Sequence, residues 1–313
     1  MKAQSIYIPE AGRIEIREEF VPDPGPDEVQ VQSTANGICM FEVSIFNGAE
    51  PGYLGKKGGH EGVGIVTKVG KNVSTFREGD YTVCGQWSTI QNHDTNIAKL
   101  SLPPRDPATF LVEPVCCIVI ALYSYDITPG DRVLVLGAGF MGLLNVQGLA
   151  RYPLRDLVVA DIKPANLELA RKFGASETIN SSTPEGQARL KELEEQPFDL
   201  VVECAGVPST LASAGKLTRR GGRLAIFAWH HDPRSIDFGV WHMRGLKVLN
   251  SSPGIGVDHN VNAMQRAVWL LERGVFDLKE LVTHRHQFAD AQAAMELAVA
   301  RPESYIKGVL EFS

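Results

Sequence analysis

The run RVLVLGAGFMGLL at residues 132–144 decides how the rest of the chain is read. Its opening residues are almost wholly apolar, as in a strand buried on both faces. Gly137, Gly139 and Gly142 then form a G-x-G-x-x-G array directly before a helical pattern, FMGLLNVQGLARY. In such a turn the first glycine permits the bend and the second lets the backbone approach a pyrophosphate. The third lets helix and strand pack closely, and the phosphates rest against the positive helix N-terminus. Phe140 and Met141, between the last two glycines, belong to the same phosphate-facing turn.

A carboxylate stands where the fingerprint requires one. Asp161 closes the next apolar run, DLVVAD, 22 residues beyond Gly139, and there it can accept hydrogen bonds from the adenosine ribose hydroxyls. A 2′-phosphate at that point would be repelled. Lys163 is a nearby cation that could also contact the cofactor, but the charge argument favours NAD(H) over NADP(H). Further on, FDLVVECAG reads as a fourth strand whose Cys204, Ala205 and Gly206 would lie over the cofactor, because ligands bind beyond the carboxyl ends of such strands.

Outward from this unit the pattern changes on both sides. From about residue 130, strands alternate with helices (RVLVLG, DLVVAD, PANLELARKFG, FDLVVECAG, GRLAIFAW), which argues for a parallel sheet covered on both faces. Up to about residue 115 the chain is short β-rich runs broken by Gly and Pro: SIYIP, RIEIREEF, EVQVQST, GVGIVTKVG, DYTVCGQW. After about residue 252 come two helical stretches, NAMQRAVWLLERG and ADAQAAMELAVA, and a closing strand, YIKGVLEF; these rejoin the first domain. The fold class is α/β, with a β-rich domain from residues 1–117 and 253–313 and a central domain from 118–252.

Composition narrows the function classes. The 313 residues carry a net charge of −6 without a long basic cluster, so neither nucleic acid nor an anionic membrane surface is an expected partner. No run approaches the ~18 uninterrupted apolar residues of a membrane span and the N-terminus lacks a signal-peptide core, so a cytoplasmic location is expected. Five scattered cysteines, an odd number, argue for reduced thiols rather than a disulfide framework.

Three separate segments hold metal-ligand chemistry: Cys39 in NGICMFE, His60-Glu61 in GGHEGVG, and Glu113 in LVEPVCC. Thiolate, imidazole and carboxylate are the ligands of a catalytic zinc that keeps one position open, yet spacing this wide says nothing about contact. The ordered set GPDEVQVQSTANGICMFEVSIFNG, GGHEGVGIVTKVGKNVSTFREGD, EPV, TPGDRVLVLGAGFMG and VTHRHQF resembles the zinc-containing medium-chain alcohol and polyol dehydrogenases, in particular their sorbitol-dehydrogenase-like members, over nearly the whole chain.

The resemblance implies a GroES-like catalytic domain built from both termini, a central Rossmann domain, and zinc in a cleft between them. It matches Cys39 and His60 to zinc ligands, Glu61 to the adjacent carboxylate, Glu113 to the Glu of the EP motif, and Lys307 to a basic residue contacting the cofactor phosphates. It implies hydride transfer between NAD and a secondary alcohol of polyol or sugar-like type, giving the ketone, in a homodimer or homotetramer. Phe41, Phe46, Gln86 and Trp87 would line the substrate wall, and Trp229, His230 and His231 could reach it.

Two departures stand out. Where the family carries Ser or Thr and then Asp after the cysteine, this chain has Phe41 and Glu42. Glu42 can orient the ligand His, but Phe41 cannot relay a proton, leaving zinc-bound water, Glu61 or Ser44. Between Gly79 and Glu113 the only cysteine is Cys84, so one catalytic zinc and no structural zinc is expected. The competing readings are a zinc-free reductase of the quinone-oxidoreductase branch and a non-catalytic NAD(H)-binding sensor.

Overall fold

The computed structural model describes residues 1–251 and 261–312. The expected return of the chain at 252–253 lies outside the described residues. Two compact units result, Met1–Cys116 with His259–Ser313, and Cys117–Asp258.

The first unit opens with a hairpin of β1 (Lys2–Glu10) and β2 (Arg13–Phe20), followed by β3 (Glu28–Gly37), helix α1 (Met40–Phe46), β4 (Gly62–Val69), β5 (Tyr81–Cys84) and β6 (Ile90–Asp94). β3 is the spine: it pairs antiparallel with β4 along its length and with β6 over Glu28–Gln32. Flanked on both edges, it is buried on both faces, which suits its Val29, Val31 and Ala35.

Helix α2 (Val112–Ser124) follows. Pro107–Ser124 is long and apolar enough to cross a membrane by length and composition, but Leu111, Val112, Val115 and Ile118 are completely buried in the fold, as in an interior helix.

The second unit alternates strand and helix: β7 (Arg132–Leu136), α3 (Phe140–Leu149), β8 (Asp156–Asp161), α4 (Pro164–Lys172), β9 (Glu177–Asn180), α5 (Pro184–Leu193), β10 (Phe198–Glu203), α6 (Pro208–Leu217), β11 (Thr218–Ile226), α7 (Phe238–Arg244) and β12 (Lys247–Asn250). All neighbours are parallel, in the order β12-β11-β10-β7-β8-β9. Strand order therefore reverses between β7 and β10, and a ligand crevice opens beyond the strand ends at such a reversal. Leu134, Leu136, Val158, Phe198, Val201 and Leu224 fill one core of this sheet. This is the doubly wound Rossmann arrangement.

The chain then returns to the first unit through α8 (Val261–Glu272), β13 (Val282–Gln287), α9 (Ala291–Ala300) and β14 (Lys307–Glu311). β14 pairs antiparallel with the end of β3, Val309 opposite Gly37, so residues from the two ends of the sequence share one sheet. α9 packs Ala291, Ala294, Met295 and Ala298 into a core with Ile6, Ile8, Val43, Phe46 and Trp87.

Candidate functional site

In the first unit, β3 ends at Gly37 and α1 begins two residues beyond Ile38, with Cys39 as its N-cap. The Cys39 Sγ accepts from the Phe41 N–H at 3.5 Å, a thiol standing where a helix usually carries a hydroxyl or carboxylate. One turn along, Glu42 is buried and its Oε1 accepts from the His60 Nδ1–H at 2.8 Å and from the Gly59 N–H at 3.1 Å. Its Oε2 is buried without a hydrogen-bond partner among the described residues.

Two overlapping donor clusters share His60. Ligand atoms of Cys39, Glu42 and His60 lie within 4.8 Å of one another, as do those of His60, Glu61 and Glu113. The structure thus brings Cys39, Glu61 and Glu113 around the His60 imidazole, with Glu42 behind it. Burial disfavours the charged ring, but the Glu42 carboxylate and a hydrogen bond to Cys39 outweigh it and hold the His60 pKa well above its ordinary value. Cys39 is raised mainly by burial, with Glu61 and Glu42 adding to it and His60 opposing it. Both effects describe a metal-free pocket that retains its protons.

Lys307, which the resemblance assigns to the cofactor phosphates, is buried on β14 and donates to Glu61 Oε1 at 2.8 Å, with Oε2 at 2.5 Å. Burial would lower its pKa, yet the Glu61 carboxylate raises it above the usual lysine value. The ion pair depends on Gly37, since a Cβ there would fall 1.9 Å from Glu61 Oε2.

The other expected residues divide. Trp87 and Phe46 are core, not substrate wall: Trp87 is fully buried, donates its indole N–H to the Gly37 carbonyl at 3.2 Å and packs against Gly58 and Gly59. Gln86 is exposed. Phe41 is half-buried, edge-on to Tyr53 at 4.9 Å and to His60 at 6.3 Å. Ser44 donates its hydroxyl to the Met40 carbonyl one turn back at 2.9 Å.

In the second unit the glycine turn leaves β7 and enters α3. Gly137 has φ +99, a left-handed conformation that favours glycine, and a Cβ there would strike the Ala205 backbone at 2.8 Å. At Gly142 a Cβ would lie 1.9 Å from the Gly137 carbonyl, whereas at Gly139 it would meet nothing within 4 Å. The open side of the turn is thus the N-cap of α3, where backbone N–H groups face an incoming anion. Phe140 and Met141 form the first turn of that helix.

Asp161 ends β8 beside this turn. Its Oδ2 accepts from the Ala138 N–H at 2.6 Å and its Oδ1 from the Lys163 N–H at 2.8 Å, so the backbone aims the carboxylate. Lys163 caps α4. Cys204, Ala205 and Gly206 follow β10, the neighbour of β7. Cys204 is packed beneath, its thiol accepting from the Asn145 amide at 3.6 Å and its pKa raised well above the ordinary thiol value by burial.

Sequence reading passed over Glu203, a completely buried carboxylate at the end of β10 that is paired with His230. Its signal was present: a charged residue closing an otherwise apolar run needs a partner.

Comparison with known proteins agrees with this fold. Residues 25–102 match the alcohol dehydrogenase GroES-like domain and residues 141–268 the zinc-binding dehydrogenase family. The chain is similar to an uncharacterized zinc-type alcohol dehydrogenase-like protein of Escherichia coli, 26% identical with all of both chains covered. It is also similar to a sorbitol dehydrogenase of Bacillus subtilis, 27% identical over 89% of this chain and 88% of the relative. Among solved structures it resembles an Escherichia coli oxidoreductase/dehydrogenase of unknown specificity, with a TM-score of 0.87, 26% identity and full coverage of both chains. The chain is a dehydrogenase and belongs to the medium-chain zinc-type alcohol and polyol dehydrogenase family.

Proposed function

We propose that the protein interconverts a secondary alcohol, of polyol or sugar-like type, and its ketone, using NAD(H) and one zinc ion. The observation that carries this reading is the Cys39, His60 and Glu42 arrangement. A thiol and an imidazole face each other, and the imidazole's second nitrogen is held by a buried carboxylate, which is how zinc-binding histidines are oriented. The donor chemistry fits zinc: one soft thiolate, one imidazole, and carboxylates alongside.

Cys39 and His60 would hold the ion, with the Glu61 and Glu113 carboxylates, both within 4.8 Å of the His60 ligand atom, placed to complete its shell. Zinc bound there would supply a Lewis acid that makes an alcohol proton removable near neutral pH. Phe41 offers no hydroxyl for that proton, and Ser44 spends its own on the Met40 carbonyl. Glu61 lies within 4.8 Å of the His60 ligand atom and is paired with the Lys307 ammonium, and to this pair we assign the proton path.

The dinucleotide reading rests on the glycine turn and Asp161. With a carboxylate at the ribose position, a 2′-phosphate would meet like charge, and NAD(H) is the preferred form. A homodimer or homotetramer in the cytoplasm completes the proposal. The zinc-free reductase and the non-catalytic sensor find no support in the retained donor cluster.

Purification without chelator, metal analysis, and a screen of polyols and secondary alcohols with NAD test this function. One zinc per chain and NADH formation are expected, and Cys39→Ala should lose both while still binding NADH. Turnover in protein with well under half an equivalent of zinc would refute the metal-assisted mechanism.

A further inference from the structure

A second polar cluster lies wholly within the Rossmann unit, at the carboxyl edge of its sheet. Glu203 closes β10 with no exposed surface. Its Oε1 accepts from the Ala205 N–H at 3.0 Å, the Gly206 N–H at 2.9 Å and the Thr210 hydroxyl at 2.7 Å. Its Oε2 accepts from His230 Nε2 at 3.0 Å, and the Arg234 Nε–H donates to His230 Nδ1 at 3.3 Å. His230 and Arg234 are themselves mostly buried, their side chains 12% and 19% exposed.

These donors fix the state of the ring. A guanidinium is always protonated, so Nδ1 must be the acceptor and Nε2 must carry the hydrogen that Glu203 receives. Both ring nitrogens are therefore committed, leaving His230 no lone pair with which to take a substrate proton. The trio is a clamp rather than an acid–base dyad.

What the clamp holds follows from the strand order. The glycine turn for the pyrophosphate follows β7 and the ribose carboxylate Asp161 ends β8, so the adenosine half of a dinucleotide lies on that side. The other half must extend across β10 and β11, on the far side of the reversal. There the Ala205 backbone abuts Gly137 of the phosphate turn, and Gly206, at φ +71, abuts Ala228 and the Trp229 carbonyl. One carboxylate thus ties the turn after β10 to α6 through Thr210 and to the segment after β11 through His230.

We infer that Glu203, His230 and Arg234 are positioning residues for the nicotinamide half of the cofactor, setting the shape of the 204–206 and 228–230 turns against which it rests. The inference depends on the dinucleotide reading above. It requires that the clamp affect NADH and leave a ligand of the adenosine side alone, so AMP serves as the control probe.

The test is fluorescence titration of the full-length protein and its variants with NADH, alongside AMP binding by calorimetry and thermal melting. Glu203→Gln keeps an oxygen for the three donors but turns an amide N–H toward His230, so one ring nitrogen must face a donor whichever tautomer is adopted. An increase of about tenfold in the NADH Kd is expected, the scale of one lost charge-assisted hydrogen bond, with AMP binding unchanged. Adding Arg234→Ala frees Nδ1 to carry the hydrogen and Nε2 to accept, so the double variant should bind NADH more tightly than E203Q alone. His230→Gln, which preserves one donor and one acceptor, should recover most of the binding lost in His230→Ala.

Equal weakening of NADH and AMP, or a double variant worse than E203Q, would overturn the clamp. Wild-type protein that binds neither NADH nor AMP would overturn the dinucleotide reading and the inference with it, a result distinct from either.

Discussion

The Nδ1–H of His60 donates to the Oε1 of Glu42 at 2.8 Å, and Glu42 is buried on the helix that Cys39 caps. The carboxylate fixes which ring nitrogen is left for a metal and raises its basicity. Glu42→Gln retains size and an acceptor while removing the charge, and zinc affinity should fall by about 10- to 100-fold. Competition with a chromophoric chelator measures this; unchanged affinity would remove Glu42 from the site.

Zinc uptake should be strongly pH-dependent. The His60 pKa is raised by Glu42 and Cys39 against its burial, and the Cys39 pKa is raised by burial, so at neutral pH the metal-free pocket holds both protons. Zinc requires both groups deprotonated, so binding expels protons and tightens as pH rises, by on the order of 100-fold per pH unit if two leave. Calorimetry in buffers of different ionisation enthalpy counts them. Release of fewer than one would contradict the protonation assigned here.

Cofactor choice should turn on residues 161 and 162. Asp161 is aimed by the Ala138 and Lys163 N–H groups, and Ile162 beside it is exposed. Asp161→Ser with Ile162→Arg removes the negative charge and adds a phosphate partner. The ratio of kcat/KM for NADP to that for NAD should rise at least about tenfold, roughly the scale of one charge-assisted contact. A ratio that does not move would detach Asp161 from the ribose.

The Lys307 and Glu61 pair should reveal itself in stability. Lys307→Met strands a buried carboxylate and should cost about 3–5 kcal/mol, whereas adding Glu61→Gln should restore much of it. Urea unfolding of the two variants decides. Additive losses would mean that the pair is not coupled.

The Rossmann unit was largely legible because β7, β8 and β10 are mostly buried and read as apolar runs, each closed by glycine or a carboxylate. The candidate metal ligands were legible as residue types, but their convergence on His60 needed the fold, since Cys39, His60 and Glu113 lie on separate segments. Trp87 and Phe46 were expected to face substrate, yet aromatic bulk near a site also fills a core, and sequence does not distinguish the two. The Glu203 clamp was hidden for another reason: its partner His230 is 27 residues away, across a helix and a strand.

The pairing of Lys307 with Glu61 spans 246 residues of sequence, with a consequence for the order of synthesis. A ribosome releases Cys39 and His60 early, and the complete Rossmann unit, Cys117–Asp258, before β14 exists to pair with β3 and neutralise Glu61. The central unit can therefore fold first, reversing the usual N-terminal-first order. Until the last strand arrives, Cys39 and His60 flank an unfinished sheet.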